Sequence, residues 1–170
     1  MRIAIVTDYY YPQLGGITEH VHGQATELTR RGHEVVVVTP TLAVEPKTVD
    51  GDDLPPREFE IVRVGRAVPF YINGSETLVS LGPRIPGRLS RLFAERHFDV
   101  VHVHNPFGVA LPLAAVMRSR APATVGTLHS VVHDGNRLLR VTRRPARNVL
   151  ARLDARICVS DAVIDSLGPS

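Results

Sequence analysis

The chain has a single cysteine, Cys158, and so cannot close an internal disulfide; this excludes a disulfide scaffold and fits a reducing compartment. Set between Ile157 and Val159, that cysteine reads as a small buried apolar residue. No apolar run approaches the roughly 20 residues needed to cross a bilayer. A secretory segment is missing too, because Thr7 and Asp8 break the run Ile3-Ala4-Ile5-Val6 soon after Arg2. The expectation is a soluble, cytoplasmic chain. Net charge is only +3, too little to imply nucleic acid. Internal repeats, low-complexity tracts and linkers are absent. Nothing reads G-x-G-x-x-G, which counts against a dinucleotide-dependent oxidoreductase. The composition, 44% hydrophobic and 22% charged over 170 residues, suits one globular domain.

Short apolar runs alternate with helical periodicity. Ile3-Ala4-Ile5-Val6 is continuously apolar, as in a strand covered on both faces. From residue 17 to 31, Ile17, Val21, Ala25 and Leu28 recur at helical spacing. Gly32 stops that helix, with His33 beside its negative end, and residues 35–38 form a second buried strand. Residues 40–58, with Pro40, Pro46, Pro55 and Pro56, read as irregular loop. Further strands are expected at 61–64, 99–104, 123–127 and 156–159, with helices at 110–117 and 146–153. Pro145 would sit in the first turn of the latter, and Ser160-Asp161 offers a cap for a closing helix. This alternation predicts an α/β, Rossmann-like doubly wound parallel sheet in one domain.

Ligands of such sheets bind beyond the carboxyl ends of the strands, where strand order reverses. That rule selects Thr7-Asp8-Tyr9, His104-Asn105-Pro106-Phe107 and Thr127-Leu128-His129-Ser130. Gly15-Gly16 precedes the first helix and would let a phosphate approach free N–H groups at the helix start; an ordinary loop pair is the alternative. His102 and His104, two apart on a strand, point to the same face. No third and fourth ligand accompanies them, so no metal is expected. His102 reads as a packed or hydrogen-bonded histidine and His104 as lining the cleft. His20 and His22 do not share a helix face, and one of them is free to look toward the cleft. His129, just past a strand, is the strongest single candidate for contact with a bound ligand.

Arginines gather in two places. Arg84, Arg88 and Arg91 fall on one helical face and Ile85, Leu89, Leu92 and Phe93 on another. This basic amphipathic pattern fits a segment lying on an anionic membrane, and equally a solvated outer helix. Arg137, Arg140, Arg144 and Arg147 form the second cluster, interrupted by Pro145.

The opening strand, the loop from Pro12 to Gly16, Gly32-His33-Glu34-Val35, His102-Val103-His104-Asn105-Pro106, Thr127-Leu128-His129 and Val159-Ser160-Asp161 together resemble the retaining family 4 glycosyltransferases of GT-B fold. Ala67-Val68-Pro69-Phe70, Asn73-Gly74-Ser75 and Leu81-Gly82-Pro83 look like the bacterial phosphatidylinositol mannosyltransferases within it. The resemblance implies a hexosyltransferase, using a GDP- or UDP-sugar and no cofactor or metal, of which this chain is the N-terminal, acceptor-side domain. The donor-binding C-terminal domain would be absent, leaving the isolated chain inactive. It implies that Gly15 and Gly16 lie by the donor diphosphate and that His129 approaches the transferred sugar. Tyr9, Asn73, Ser75, His104 and Asn105 would border the acceptor, and Arg84, Arg88 and Arg91 would dock on the anionic inner face of the plasma membrane. The sequence departs from that pattern at Ile72, where a tyrosine is usual, and at Glu76 and near Asp134, where basic residues are usual. The acceptor therefore stays open among polyol, lipid and glycan. A non-catalytic nucleotide- or polyol-binding module, or a peripheral membrane module, is the alternative from another class.

Overall fold

The computed structural model describes residues 1–42, 55–72, 75–108, 110–129 and 148–166, with the side chains of 70–72 and 75–77 left aside. In chain order the elements are β1 (Arg2–Val6), α1 (Gly16–Arg30), β2 (Glu34–Leu42), β3 (Glu60–Ile72), β4 (Ser75–Leu81), α2 (Ile85–Arg96), β5 (Val100–His104), α3 (Leu111–Arg118), β6 (Ala123–Leu128), β7 (Ala155–Cys158) and α4 (Asp161–Ser166). They build a seven-stranded sheet ordered β4-β3-β2-β1-β5-β6-β7. Every neighbouring pair is parallel except β3 with β4. Without β4, the order is that of doubly wound dinucleotide-binding sheets, with its reversal between β1 and β5.

The central strands are apolar on both sides because each side meets a separate core. Ala4, Val6, Val36 and Val38 pack with Leu89 and Phe93 of α2 and Leu111 and Val116 of α3. Ile3, Ile5, Val35 and Val37 pack with Val21 and Ala25 of α1 and with Tyr10 and Tyr11. Side chains along a strand alternate between faces, so one short run serves both layers, each buried Val or Ile contributing about 1.5–3 kcal/mol. Gly32, at φ 82, ends α1 in the left-handed conformation that glycine adopts without steric cost.

Three expectations need correction. β2 does not stop before Pro40 but continues to Leu42, its pairing with β3 shifting register between Thr39 and Thr41. The shift accommodates a residue with no N–H, and the Pro40 carbonyl accepts a hydrogen bond from Arg63. The third strand is far longer than residues 61–64, and an antiparallel partner, β4, follows it after a two-residue connection. Cys158 is only half-buried, because β7 is an edge strand with Ile157 44% exposed. The expected helix at 146–153 is described only from residue 148, where 148–150 are helical. Pro145 and the second arginine cluster, all at residues 137–147, lie outside the described residues.

The β3–β4 hairpin is fixed to α2 through Gly65. Its φ is +81, and a Cβ there would come within 2.7 Å of Ile85 Cδ1 and 3.2 Å of the Leu81 carbonyl oxygen. Gly65→Ala is expected to cost about 2–4 kcal/mol, through the left-handed backbone and the collision with a buried side chain. A chemical-denaturation midpoint within error of the unsubstituted protein would contradict that packing.

Candidate functional site: a histidine stack under a glycine-lined helix start

The strand reversal opens a rim where the carboxyl ends of β1, β5 and β6 meet the start of α1. Gly15 and Gly16 are both exposed, and a Cβ built on either meets nothing within 4 Å. Gly15 has an extended backbone (φ 164) that any residue adopts. Neither packing nor conformation therefore calls for glycine here. What the missing side chains leave is room beside the first N–H groups of α1, which have no intrahelical partner and no side-chain cap. The first intrahelical bond runs from the Glu19 N–H to the Gly15 carbonyl.

One turn along, His20 stands over the same rim. Residues four apart share a helix face, so Gly16, His20 and Gln24 form a stripe on α1. The ring of His20 packs edge-on against His104 (5.5 Å between centroids) and His129 (5.3 Å). Beneath it three imidazoles lie in a stack, His102 on His104 at 4.8 Å and His104 on His129 at 5.1 Å. His20, one turn after Gly16, thus links the start of α1 to His129 along one rim. His22 turns away to Tyr10 and Tyr11, its Nδ1 lying 3.0 Å from the Tyr10 hydroxyl.

Depth separates the members of the stack. His102 and His104 are 5% and 1% exposed, whereas His129 is half-buried and His20 exposed. Burial, reinforced by the neighbouring imidazoles, lowers His104 to about 2 and His102 and His129 to about 4. All three are neutral at pH 7. His104 does not reach the surface of the rim, contrary to the expectation that it lines the cleft, because His129 and α1 cover it; its Nδ1 lies 2.8 Å from His129 Nε2. Asn105 also faces inward. It adopts φ 50, tolerated by a short polar side chain, and its Oδ1 accepts the His129 backbone N–H at 3.1 Å. His102 is hydrogen-bonded, as expected, with Nε2 2.7 Å from Thr127 Oγ1 and Nδ1 3.2 Å from Gln24 Nε2.

The other side of the rim is tied to the hairpin. The Tyr9 hydroxyl accepts the Leu78 N–H at 3.1 Å, placing its ring between β1 and β4. Asp8, 5% exposed, accepts a 2.5 Å hydrogen bond from Ser80, whose Oγ in turn accepts the Leu111 N–H. Burial raises the Asp8 carboxyl to about 7 against the lowering effect of Ser80. Asn73 lies outside the described residues, and Ser75 opens β4, paired with Ile72. Arg84, Arg88 and Arg91 are exposed on α2 while Ile85, Leu89 and Phe93 are buried, the amphipathic division expected from the sequence.

Among the described residues no group of three or more His, Cys, Asp or Glu side chains is disposed to hold a metal ion. No described helix is long and apolar enough to cross a membrane. A cavity of about 890 Å³ opens at the opposite, amino end of the strands, lined by Phe93, Phe98, Met117 and Arg118 among others, and it shares no residue with the rim. Sequence reasoning overlooked Gln24 and Ser80. The spacing of Gly16, His20 and Gln24 carried a signal for the first of these.

A rim that offers free helix N–H groups to a diphosphate and a neutral imidazole to a hydroxyl is suited to an activated sugar. The family model for Glycosyltransferase Family 4 matches residues 14–169. The chain belongs to glycosyltransferase family 4. It is similar to the phosphatidyl-myo-inositol mannosyltransferases of Propionibacterium freudenreichii subsp. shermanii, at 31% identity over 97% of this chain and 42% of that protein, and of Mycolicibacterium smegmatis, at 32% over 95% and 39%. It is also similar to the alpha-monoglucosyldiacylglycerol synthase of Streptococcus pneumoniae, at 25% over 98% of this chain and 37% of that protein. This family 4 chain thus spans about two fifths of the length of the curated relatives it matches. In fold it is like a putative UDP-N-acetylglucosamine 2-epimerase from Listeria monocytogenes (TM-score 0.53, 14% identity, 98% of this chain and 40% of that one), which supports the Rossmann-like half of a GT-B architecture.

Proposed function

We propose that this family 4 chain is the N-terminal, acceptor-side domain of a retaining glycosyltransferase that moves a hexose from a GDP- or UDP-sugar to a polyol, lipid or glycan. The observation that supports the reading is the packing of His20, one turn into the glycine-lined start of α1, against His129; the two are proposed to border one hollow. In this mechanism the N–H groups after Gly15 and Gly16 stabilise charge growing on the leaving diphosphate. His129 positions the sugar and is not a nucleophile. A second domain supplies the remaining donor contacts and closes over the hollow, excluding water.

Tyr9, at the hairpin, and Asn73 and Ser75 are proposed to border the acceptor. His104 and Asn105, both turned toward His129, do not border the acceptor in this reading and act by holding His129 in place. The test is a transfer assay on the full-length protein with GDP- and UDP-hexoses, reading the anomeric configuration of the product by NMR. A retained configuration is expected; binding of the nucleotide sugar without any transfer would overturn the reading.

We further propose that α2 docks on an anionic membrane at the cytoplasmic face. Exposed Arg84, Arg88 and Arg91 above buried Ile85, Leu89 and Phe93 support this. Each basic residue near such a surface contributes about 1 kcal/mol, so removing these side chains weakens vesicle binding roughly 10²-fold. Co-sedimentation with phosphatidylserine vesicles that survived Arg84→Glu, Arg88→Glu and Arg91→Glu together would exclude this helix as the docking face.

A further inference from the structure

Five side chains at the rim form one continuous hydrogen-bonded chain, and a single amide, that of Gln24, stands at its centre. Gln24 Nε2 lies 3.2 Å from His102 Nδ1, and Gln24 Oε1 lies 3.0 Å from His104 Nε2. His102 Nε2 then meets Thr127 Oγ1 at 2.7 Å, and His104 Nδ1 meets His129 Nε2 at 2.8 Å. A neutral imidazole has one donor and one acceptor nitrogen, while an amide nitrogen only donates and an amide oxygen only accepts. With the amide in this orientation, these rules assign every proton along the chain. The amide N–H makes His102 Nδ1 an acceptor, so His102 carries its proton on Nε2 and donates to Thr127. The amide oxygen requires a proton on His104 Nε2, so His104 Nδ1 accepts. His129 must then donate from Nε2, and its Nδ1 is left as a lone pair.

We propose that Gln24 is a positioning residue that fixes the tautomer of His129, so that the imidazole offers the hollow a hydrogen-bond acceptor. The inference rests on the reading of His129 as the group that meets the donor sugar. The lone pair at Nδ1 suits a sugar hydroxyl, which can donate to it, and disfavours a group that only accepts. Turning the same amide over would reverse every proton in the chain and present Nδ1–H instead. The relay therefore has two internally consistent states, and the amide orientation selects between them. Neutrality of the buried rings, which the relay requires, follows from the burial that lowers His102 and His104.

The test is imidazole ¹⁵N NMR of the histidine-labelled protein at pH 7, in which pyrrole-type and pyridine-type nitrogens have well-separated shifts. The unsubstituted protein is expected to show a pyrrole-type Nε2 and a pyridine-type Nδ1 at His129. Gln24→Leu removes the central amide, and both His129 nitrogens should then move toward intermediate, tautomer-averaged shifts. Thr127→Val removes the oxygen that accepts from His102, leaving a buried N–H without a partner. That favours the reversed relay, so His129 should move toward the Nδ1–H form although its own contacts are untouched. An Nδ1–H tautomer in the unsubstituted protein, or His129 shifts unchanged by both substitutions, would overturn the proposal. Because the readout is a tautomer and not a rate, failure of the sugar-transfer reading would appear separately, as a correct tautomer in a protein that transfers nothing.

Discussion

A full-length enzyme carrying His129→Ala is expected to lose about 10²–10³ in kcat/KM, the range typical of deleting one preorganised polar contact to a transition state. In the proposed mechanism the loss should fall mainly on kcat, because nucleotide and diphosphate would be held elsewhere and a ring that positioned the sugar would matter most as the glycosidic bond broke. Fold should survive the change. His129 is half-buried at the mouth of the stack, and the layers beneath it are closed by His104, Gln24 and His102. Steady-state kinetics together with the thermal midpoint check both statements. An unchanged kcat would remove His129 from the mechanism.

The second large effect is on stability as a function of pH. His102 and His104 are held neutral, at about 4 and about 2 against an ordinary value of 6.5. In the unfolded chain each binds a proton below pH 6.5 that the folded chain refuses down to its lowered value. Their contribution is therefore fully present above pH 6.5 and lost as pH falls. Asp8 acts in the opposite direction. Raised from 3.8 to about 7, it is protonated in the folded chain where the unfolded chain is ionised, so stability declines as pH rises from about 4 to 7. Between roughly pH 4.5 and 6, unfolding takes up two protons at the histidines and releases one at Asp8. The net slope is about 1.4 kcal/mol per pH unit, with stability rising toward neutrality. His129, half exposed, adds a smaller part of the same sign. Asp8→Asn keeps an oxygen for Ser80 and removes the opposing proton. It should steepen the slope to about 2.7 kcal/mol per pH unit and stabilise the protein at pH 8. Urea unfolding at several pH values measures both slopes. A variant less stable than its parent at pH 8 would show that the Asp8 carboxylate is not the burdened group.

How much of this was legible in the amino-acid order depended on whether the decisive contacts were local. The parallel strands were readable because burial on both faces makes Ile3-Ala4-Ile5-Val6 and Val35-Val36-Val37-Val38 unbroken apolar runs, and Gly32 marks the end of α1 by itself. The hairpin was within reach but overlooked. Asn73-Gly74 between two apolar runs is a strong two-residue turn signal, although Pro69 is unusual within a strand. That proline is tolerated because β3 pairs with β2 only as far as Ala67 and with β4 beyond it. His129 could be placed on the rim by the rule for strand ends, and Gly15 and Gly16 by their position at the start of the first helix. The depth of His104 could not, because the burial comes from α1 lying across β5, a contact between residues 80 apart in the chain. Asp8 paired with Ser80 is of the same kind, bridging 72 positions. Local pattern places a residue at a strand tip, whereas its orientation to the hollow or to the core depends on which helix crosses above it.

The most direct trial of the shared hollow is an NMR titration of the full-length protein, following the Gly16 amide and the His129 imidazole together. An intact nucleotide-diphosphate sugar should shift both signals with a single dissociation constant, while the nucleotide diphosphate alone should shift Gly16 and leave His129 in place. If saturating nucleotide sugar moved the glycine amide and left the imidazole untouched, the two would not hold the same ligand, and the assignment of His129 to the sugar would fail.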